Sequence, residues 1–416
     1  MTLFLHAVKN LKKDAAVNML TVLQLTAVIV ITIIMVSSVL LRYRYYKPFQ
    51  DILQSNGILC NFTMPANYDT EHMQDPFKYI ADDEMKEFFP DIENVISCNH
   101  GPNWLVDGSN EPINANCMSL YYDDEIIERY RPEIKEGRWL NTSKNAQCIE
   151  AVISETDLGI NVGDRVRIGF MASDIKDNFL DILIVGKLSE NTKAVGYSGG
   201  DKKYGDIDVN SIYGTVSFAV ERQTLFLLSS DYLSENTTVL QGIYSTAMIT
   251  FSEDYPSDKI EQIRQKLVEY NCRSSYPLSE VNENSRSYIL AQIKDLLPII
   301  IVIMIMVIVN SISSSALSAR RELKNFAIFY MTGLQWKHCA LINLIQTAVT
   351  AAISVVLSVI CVLALKCTDF GGGMNILIQW ETAVGVAAII LLFTFTSLIM
   401  PFILLSRTTP KQILAR

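Results

Sequence analysis

Residues 19–41, MLTVLQLTAVIVITIIMVSSVLL, decide the architecture: twenty-three consecutive positions lack Asp, Glu, Lys and Arg. As a helix rising about 1.5 Å per residue, this run spans roughly 35 Å. That crosses the ~30 Å hydrocarbon core of a bilayer with every backbone amide satisfied internally. The run follows a basic start containing Lys9, Lys12 and Lys13, as a signal peptide would. It exceeds the roughly 7–15 apolar residues of a signal peptide, however, and no small-x-small cleavage site follows, so it reads as an uncleaved anchor. Residues 296–317, 341–365 and 382–405 are equally free of charge. A chain of 416 residues that is 50% hydrophobic yet 19% charged divides naturally into such spans and one aqueous region.

Orientation follows from the flanking charge. Lys9, Lys12 and Lys13, then Arg320, Arg321, Lys324 and Lys337, then Arg407, Lys411 and Arg416 face only Asp14 and Glu322 in their segments. These three segments belong in the cytoplasm by the positive-inside rule. Arg42, Arg44 and Lys47 argue the other way, but long segments translocate largely regardless of charge. Residues 42–295 are therefore outside, and they hold 40 acidic against 24 basic residues. Such an acidic module excludes nucleic acid as a partner and suits a solvated external domain.

The expected fold is membrane α-helical, with four transmembrane helices arranged one plus three and an inserted extracytoplasmic α+β domain containing a mainly β subdomain. Residues 1–18 form a basic amphipathic helix, with Phe4, Val8, Leu11 and Ala15 at helical spacing. The outer domain begins with a strand at 57–64, a helix at 75–89 and a strand at 94–98. It ends in the same order, with strand 247–251, helix 257–270 and strand 272–276. Two β-α-β units from opposite ends of the segment thus build one small subdomain. Residues 116–240 read as an inserted, mainly β part, with a surface loop at 190–210. From Leu278, the residues Val281, Tyr288, Ile289 and Ile293 keep helical spacing into the second span, a stalk that Pro298 is expected to kink. Residues 318–340 form a cytoplasmic loop, and 406–416 the tail.

Chemistry-bearing patterns are absent. His6, His72, His100 and His338 lie in separate segments without metal-ligand spacing, and Cys98 with His100 makes only two donors. No G-x-x-x-x-G-K-[ST] phosphate loop occurs, so any ATP chemistry belongs to another chain. Neither a catalytic residue nor a cofactor is expected. The spans carry no ionisable residue, which argues against proton- or ion-coupled transport. Asn310, Ser311, Ser313, Ser314 and Ser315 form a small, polar run suited to close helix packing, either as a dimer seam or within one bundle. Cys60, Cys98, Cys117, Cys148 and Cys272 lie in the outer domain and allow either bridges or free thiols.

The segment Arg320-Arg-Glu-Leu-Lys-Asn-Phe-Ala-Ile-Phe-Tyr-Met-Thr-Gly333 resembles the signature of FtsX-like permeases, a basic cluster leading into Glu-[Ile/Phe]-x-x-Leu-Arg-Ala-x-Gly. Arg320, Arg321, Phe326, Ala327, Ile328 and Gly333 fall on that pattern, whereas Asn325 and Tyr330 depart from it. Glu136-Gly-Arg-Trp139, Val152 to Leu158, Val162-Gly-Asp-Arg-Val-Arg-Ile168 and Ile182-Leu-Ile-Val-Gly-Lys-Leu188 resemble the MacB-type extracytoplasmic domain in order. Pro410 and Leu414 match that family's closing motif. The resemblance implies a homodimer, or a heterodimer with a paralogous permease, in the lipid bilayer and served by cytoplasmic ABC ATPase subunits. It places Arg320, Arg321, Phe326 and Gly333 at the ATPase contact. It further implies that ATP hydrolysis moves the outer domain to export, or confer resistance to, peptides, antibiotics or lipid-linked molecules. The alternative is an FtsX-like signal transducer that activates a cell-wall hydrolase. A sensor permease beside a histidine kinase ranks below both, having more spans.

Overall fold

A computed structural model of the chain describes residues 15–62, 89–107, 111–154, 156, 158–170, 179–189, 192–195, 207–209, 212, 224–236, 244–268, 272–331, 333, 336–367 and 376–407. The amphipathic stretch before Ala15, most of the helix expected at 75–89, most of the 190–210 loop and the tail after Arg407 lie outside these residues. The chain forms two compact units, residues Met1–Arg42 with Ile289–Arg416, and Tyr43–Tyr288. It is a multi-pass membrane protein with a large domain outside the bilayer.

Among the described residues, four helices are long and apolar enough to cross a bilayer. They are α1 (Ala15–Tyr46), α6 (Leu278–Met331), α7 (Trp336–Cys367) and α8 (Trp380–Arg407). Their shared core takes Leu25, Ile29 and Ile33 from α1, Ile303 and Val307 from α6, Ala351 and Val362 from α7, and Ile389 and Phe393 from α8. Val302, Ile305 and Val309 on α6, Val356 and Ile360 on α7, and Leu391 and Phe395 on α8 are exposed, as suits surfaces solvated by lipid. The α6 helix continues through Pro298, whose ring removes the bond to the carbonyl of Lys294.

The α+β unit opens with a 3-10 turn (Lys47–Phe49) and α2 (Gln50–Gln54), and is built on ten paired strands. They are β1 (Gly57–Phe62), β2 (Asn94–Val106), β3 (Pro112–Tyr122), β4 (Ile134–Gly137), β5 (Glu150–Ile153), β6 (Arg165–Phe170), β7 (Phe179–Leu188), β8 (Thr224–Ser229), β9 (Tyr244–Thr250) and β10 (Cys272–Pro277). Helices α3 (Asp124–Arg129), α4 (Ser230–Asn236) and α5 (Ser257–Leu267) complete it. The order β10-β1-β9-β2 joins the two ends of the segment. Ile260, Ile263 and Leu267 of α5 pack onto Ile58, Cys60, Val95, Ile249 and Cys272 of these strands. The strands and the second helix expected to join the two ends of the segment thus come together.

The inserted part is mainly β, as expected, and it shares a strand with the rest of the unit. Strand β2 runs past Cys98 to Val106 and serves both halves. Its residues 94–100 pair with β9, and its residues 103–106 pair with β6. Pro102, which has no N–H to donate, falls between these partners, so the change costs no ladder bond on that edge. Pairings β2–β3, β3–β8, β8–β5, β5–β7, β7–β6 and β6–β2 return to their start, a closed ring of six strands. Phe226, Leu228, Ile153, Ile168, Ile182 and Ile184 fill it.

The motif glycines owe their identity to the strand that pairs with β7 outside this ring. Gly137 pairs with Gly186 across β4 and β7. A Cβ on Gly137, at φ +79°, would lie 2.3 Å from the Val185 carbonyl oxygen, and one on Gly186 would lie 2.2 Å from that of Arg138. The neighbouring Arg138 donates to both carboxylate oxygens of the buried Glu150, at 2.9 and 2.6 Å, and Asn141 adds two more donors at 3.2 Å. The carboxylate raises the Arg138 pKa further above its ordinary value. Trp139 donates its indole N–H to Ile127 at 3.0 Å and packs beside Tyr122 and Tyr130.

Candidate functional site: the coupling segment and the polar seam

The segment 318–340, expected as the cytoplasmic connection between the second and third spans, is helical over most of its described residues. Helix α6 continues to Met331 and α7 starts at Trp336, so the turn between them is short. A run of Ser, Ala, Arg, Glu and Leu from Ser313 to Leu323 contains no Gly or Pro to stop the helix. Helix α6 stops where Gly333 adopts φ +97°, with nothing within 4 Å of where a Cβ would stand. That conformation costs most residues energy and glycine almost none, the usual way a helix ends.

Within α6, Arg320 and Arg321 are exposed, as are Ile328 and Met331 at 47% and 63%. At 100° per residue these four span an arc of about 100°. Glu322 turns the other way: it is 3% exposed and accepts a hydrogen bond from the Asn325 amide at 2.6 Å. Asn325, a departure from the permease signature, thus has a local task in satisfying a buried carboxylate. The side chain of Phe326 lies outside the described residues.

The polar run of α6 is bonded inside the same four helices. Ser311 donates to the Phe393 carbonyl at 2.8 Å and accepts from Thr396 at 2.8 Å. Ser314 shares a 3.2 Å hydrogen bond with Thr21 of α1, and Asn310 donates to Gln24 of α1. Ser315 donates to the Ser397 carbonyl while accepting from Asn343 of α7 at 3.1 Å. Ser318 meets Gln346 of α7 at 3.4 Å. A small cavity of about 30 Å³ lies among Thr21, Ser311, Ser314, Asn343, Gln346 and Ser397, room for a water with several polar partners. All this sits in the half of the bundle that adjoins the coupling segment in sequence.

Sequence reading singled out Asn310, Ser311 and Ser314, and the fold gives them partners on α1 and α8, while the neighbouring Ser315 and Ser318 reach α7. It missed those partners, Gln24, Asn343, Gln346, Thr396 and Ser397. The signal was present: polar residues in spans otherwise made of Leu, Ile, Val and Ala are candidates for interhelical bonds.

Among the described residues no group of three or more His, Cys, Asp and Glu is placed to hold a metal. Cys60, Cys117, Cys148 and Cys361 carry free thiols. Contact with Cys272 and burial push the Cys60 thiol well up, and burial does the same for Cys98, so both stay protonated and unreactive at neutral pH.

The chain is similar to two extracytoplasmic domains. The periplasmic region of MacB from Actinobacillus actinomycetemcomitans aligns at a TM-score of 0.30 and 12% identity, covering 58% of this chain and 93% of that domain. The extracellular domain of the noncanonic ABC-type transporter YknZ from Gram-positive bacteria aligns at 0.30 and 9%, covering 53% and 98%. No protein-family model and no curated protein matches the chain. The functional reading therefore rests on the chain's own residues.

Proposed function

We propose that this chain is the permease subunit of an ABC-type transporter of the MacB/FtsX kind, in which a separate ATPase moves the outer domain through α6. The observation that carries this reading is the helix itself. Its 54 residues begin directly after β10 at Leu278 and end at the segment bearing exposed Arg320 and Arg321. At 1.5 Å per residue that is roughly 80 Å of continuous helix, short of one backbone hydrogen bond at Pro298, which passes axial displacement better than a loop could. Spans without charge and a chain without a phosphate loop support a transmitter driven from elsewhere. The subunit itself performs no chemistry. It works as a homodimer or with a paralogous permease, handling peptides, antibiotics or lipid-linked molecules outside the membrane.

The test is a paired charge reversal. Arg320→Glu with Arg321→Glu is expected to lower co-purification of the P-loop ATPase at least tenfold. Membrane insertion, checked by protease accessibility of the outer domain, should remain intact. Undiminished co-purification in a correctly inserted variant would remove these arginines from the ATPase contact.

A further inference from the structure

The α+β unit contains a recess whose charge opposes that of its domain. A cavity of about 520 Å³ is bordered by the last turn of α1, the 3-10 turn after it, the end of α3 and residues 192–193. Among the described residues Arg44, Lys47, Arg129, Arg131 and Lys193 line it, against Asp51 and Glu133. The surplus is three positive charges within a domain that is strongly acidic.

Two of the cations are fixed by the acids. Arg44 binds Glu133 at 2.6 Å and donates to Thr192 at 3.3 Å, and Arg129 binds Asp51 at 3.1 Å. The other three are placed differently. Lys193 stands 4.6 Å from the centre of the Tyr45 ring, and Arg131 donates to the Glu128 carbonyl at 3.3 Å. Lys47 and Arg131 are exposed, and among the described residues neither has a carboxylate partner. The Nε of Arg44 is buried with no hydrogen-bond partner among the described residues, a costly state for a charged donor. Convergent cations with guanidinium forks match the doubly hydrogen-bonded geometry of phosphate oxygens.

Placement decides which phosphate. Arg44 follows Leu41, the last residue of the charge-free run, by one turn of the same helix, about 4.5 Å along its axis. Arg42, Arg44 and Lys47 are also the cluster that offends the positive-inside rule. A cost carried on the wrong side of a span is explained if those charges meet anionic headgroups there. We propose that this recess binds the phosphate of an anionic phospholipid headgroup at the outer membrane surface, gripping the start of the α+β unit to the lipid.

The test uses the full-length chain in detergent, titrated separately with dihexanoyl phosphatidylglycerol, dihexanoyl phosphatidylcholine and glycerol 3-phosphate, with the thermal midpoint as readout. Phosphatidylglycerol is expected to raise the midpoint and phosphatidylcholine to leave it unchanged. Lys47→Gln with Arg131→Gln should weaken the phosphatidylglycerol response about 30-fold, and Lys47→Gln alone about fivefold, from the usual worth of a basic residue at an anionic surface. Both side chains are exposed, so the midpoint without lipid should hold, and the single variant serves if the double one does not fold. Equal responses to the two lipids, or a phosphatidylglycerol response unchanged in the variants, would overturn the site. Saturation by glycerol 3-phosphate at the same concentration as the lipid would overturn the headgroup assignment in favour of a soluble phosphate ester.

Discussion

The two units solve the same packing problem with opposite materials. In the α+β unit, apolar side chains such as Phe226, Leu227 and Ile153 are fully buried, and charges are kept at the rim in pairs such as Arg167–Asp181 and Arg264–Glu261. In the membrane unit the helices present Leu, Ile and Val outward, and the buried positions include Ser311, Asn343, Thr350, Ser354 and Ser358. The difference teaches which force is available. In water, removing apolar surface drives assembly at roughly 25 cal/mol per Å². In lipid that gain vanishes, since the surroundings are as apolar as the core, and close backbone approach with hydroxyl and amide bonds holds helices together. Ser354 and Ser358 show it, reaching from α7 to the carbonyls of Val22 and Thr26 at 3.3 Å.

The contrast can be broken by substitution, beginning where the effect is largest. Phe226→Ala, at a fully buried position in the six-stranded ring, is expected to cost about 3–5 kcal/mol. Hydrogen exchange should then accelerate at the amides of β3, β5, β7 and β8, while those of α7 and α8 stay protected. A matching loss in α7 and α8 would mean that the two units do not unfold separately.

Arg138→Ala should cost about 2 kcal/mol, less than for a fully buried pair because the guanidinium is 47% exposed while Glu150 is 8% exposed. Urea unfolding followed by Trp139 fluorescence measures it. Recovery in Arg138→Ala with Glu150→Gln would locate the cost in the stranded carboxylate rather than in lost packing.

Ser311→Ala in the membrane unit removes the bond to the Phe393 carbonyl and the one from Thr396, for about 1 kcal/mol in all. Unfolding in sodium dodecyl sulfate, titrated against a mild detergent, reports it. A loss as large as that of Phe226→Ala would contradict the weak, distributed bonding inferred for the bundle.

The smallest effect is electrostatic. The hydrogen bond from Arg167 holds the Asp181 carboxyl below its ordinary value of 3.8. A depressed folded-state pKa contributes stability that is present above the unfolded value and is lost as pH falls through the folded one. Arg167→Gln should therefore be slightly less stable than wild type at pH 6, with the gap closing below about pH 4. A gap that persists at pH 2 would assign the effect to packing of the arginine stem.

Much of this was legible locally. Charge-free runs of sufficient length marked all four spans, and the first residue of the stalk, Leu278, is the first residue of α6. Strands β1, β9 and β10 and helix α5 read correctly because alternation or helical spacing shows within a few residues. Strand β2 did not: Gly101 and Pro102 look like a turn, and only pairing with β3 at Ser119 and Met118 carries the strand through them. The segment 318–340 was read as the cytoplasmic connection between spans, and its composition, without Gly or Pro from Ser313 to Leu323, lets the helix continue into it.

The sequence alone determined where this chain enters and leaves the bilayer, since solvation of backbone and charge in hydrocarbon depends only on the residues of each span. It also determined that the acidic segment is a separate aqueous unit. The tertiary structure decided what no local pattern contains: that β2 closes a ring, that Ser311 and Ser315 are bonded within their own bundle, and that Arg44, Arg129 and Lys193 share one recess. Each joins residues tens to hundreds of positions apart, and such pairings are fixed by which surfaces are buried together.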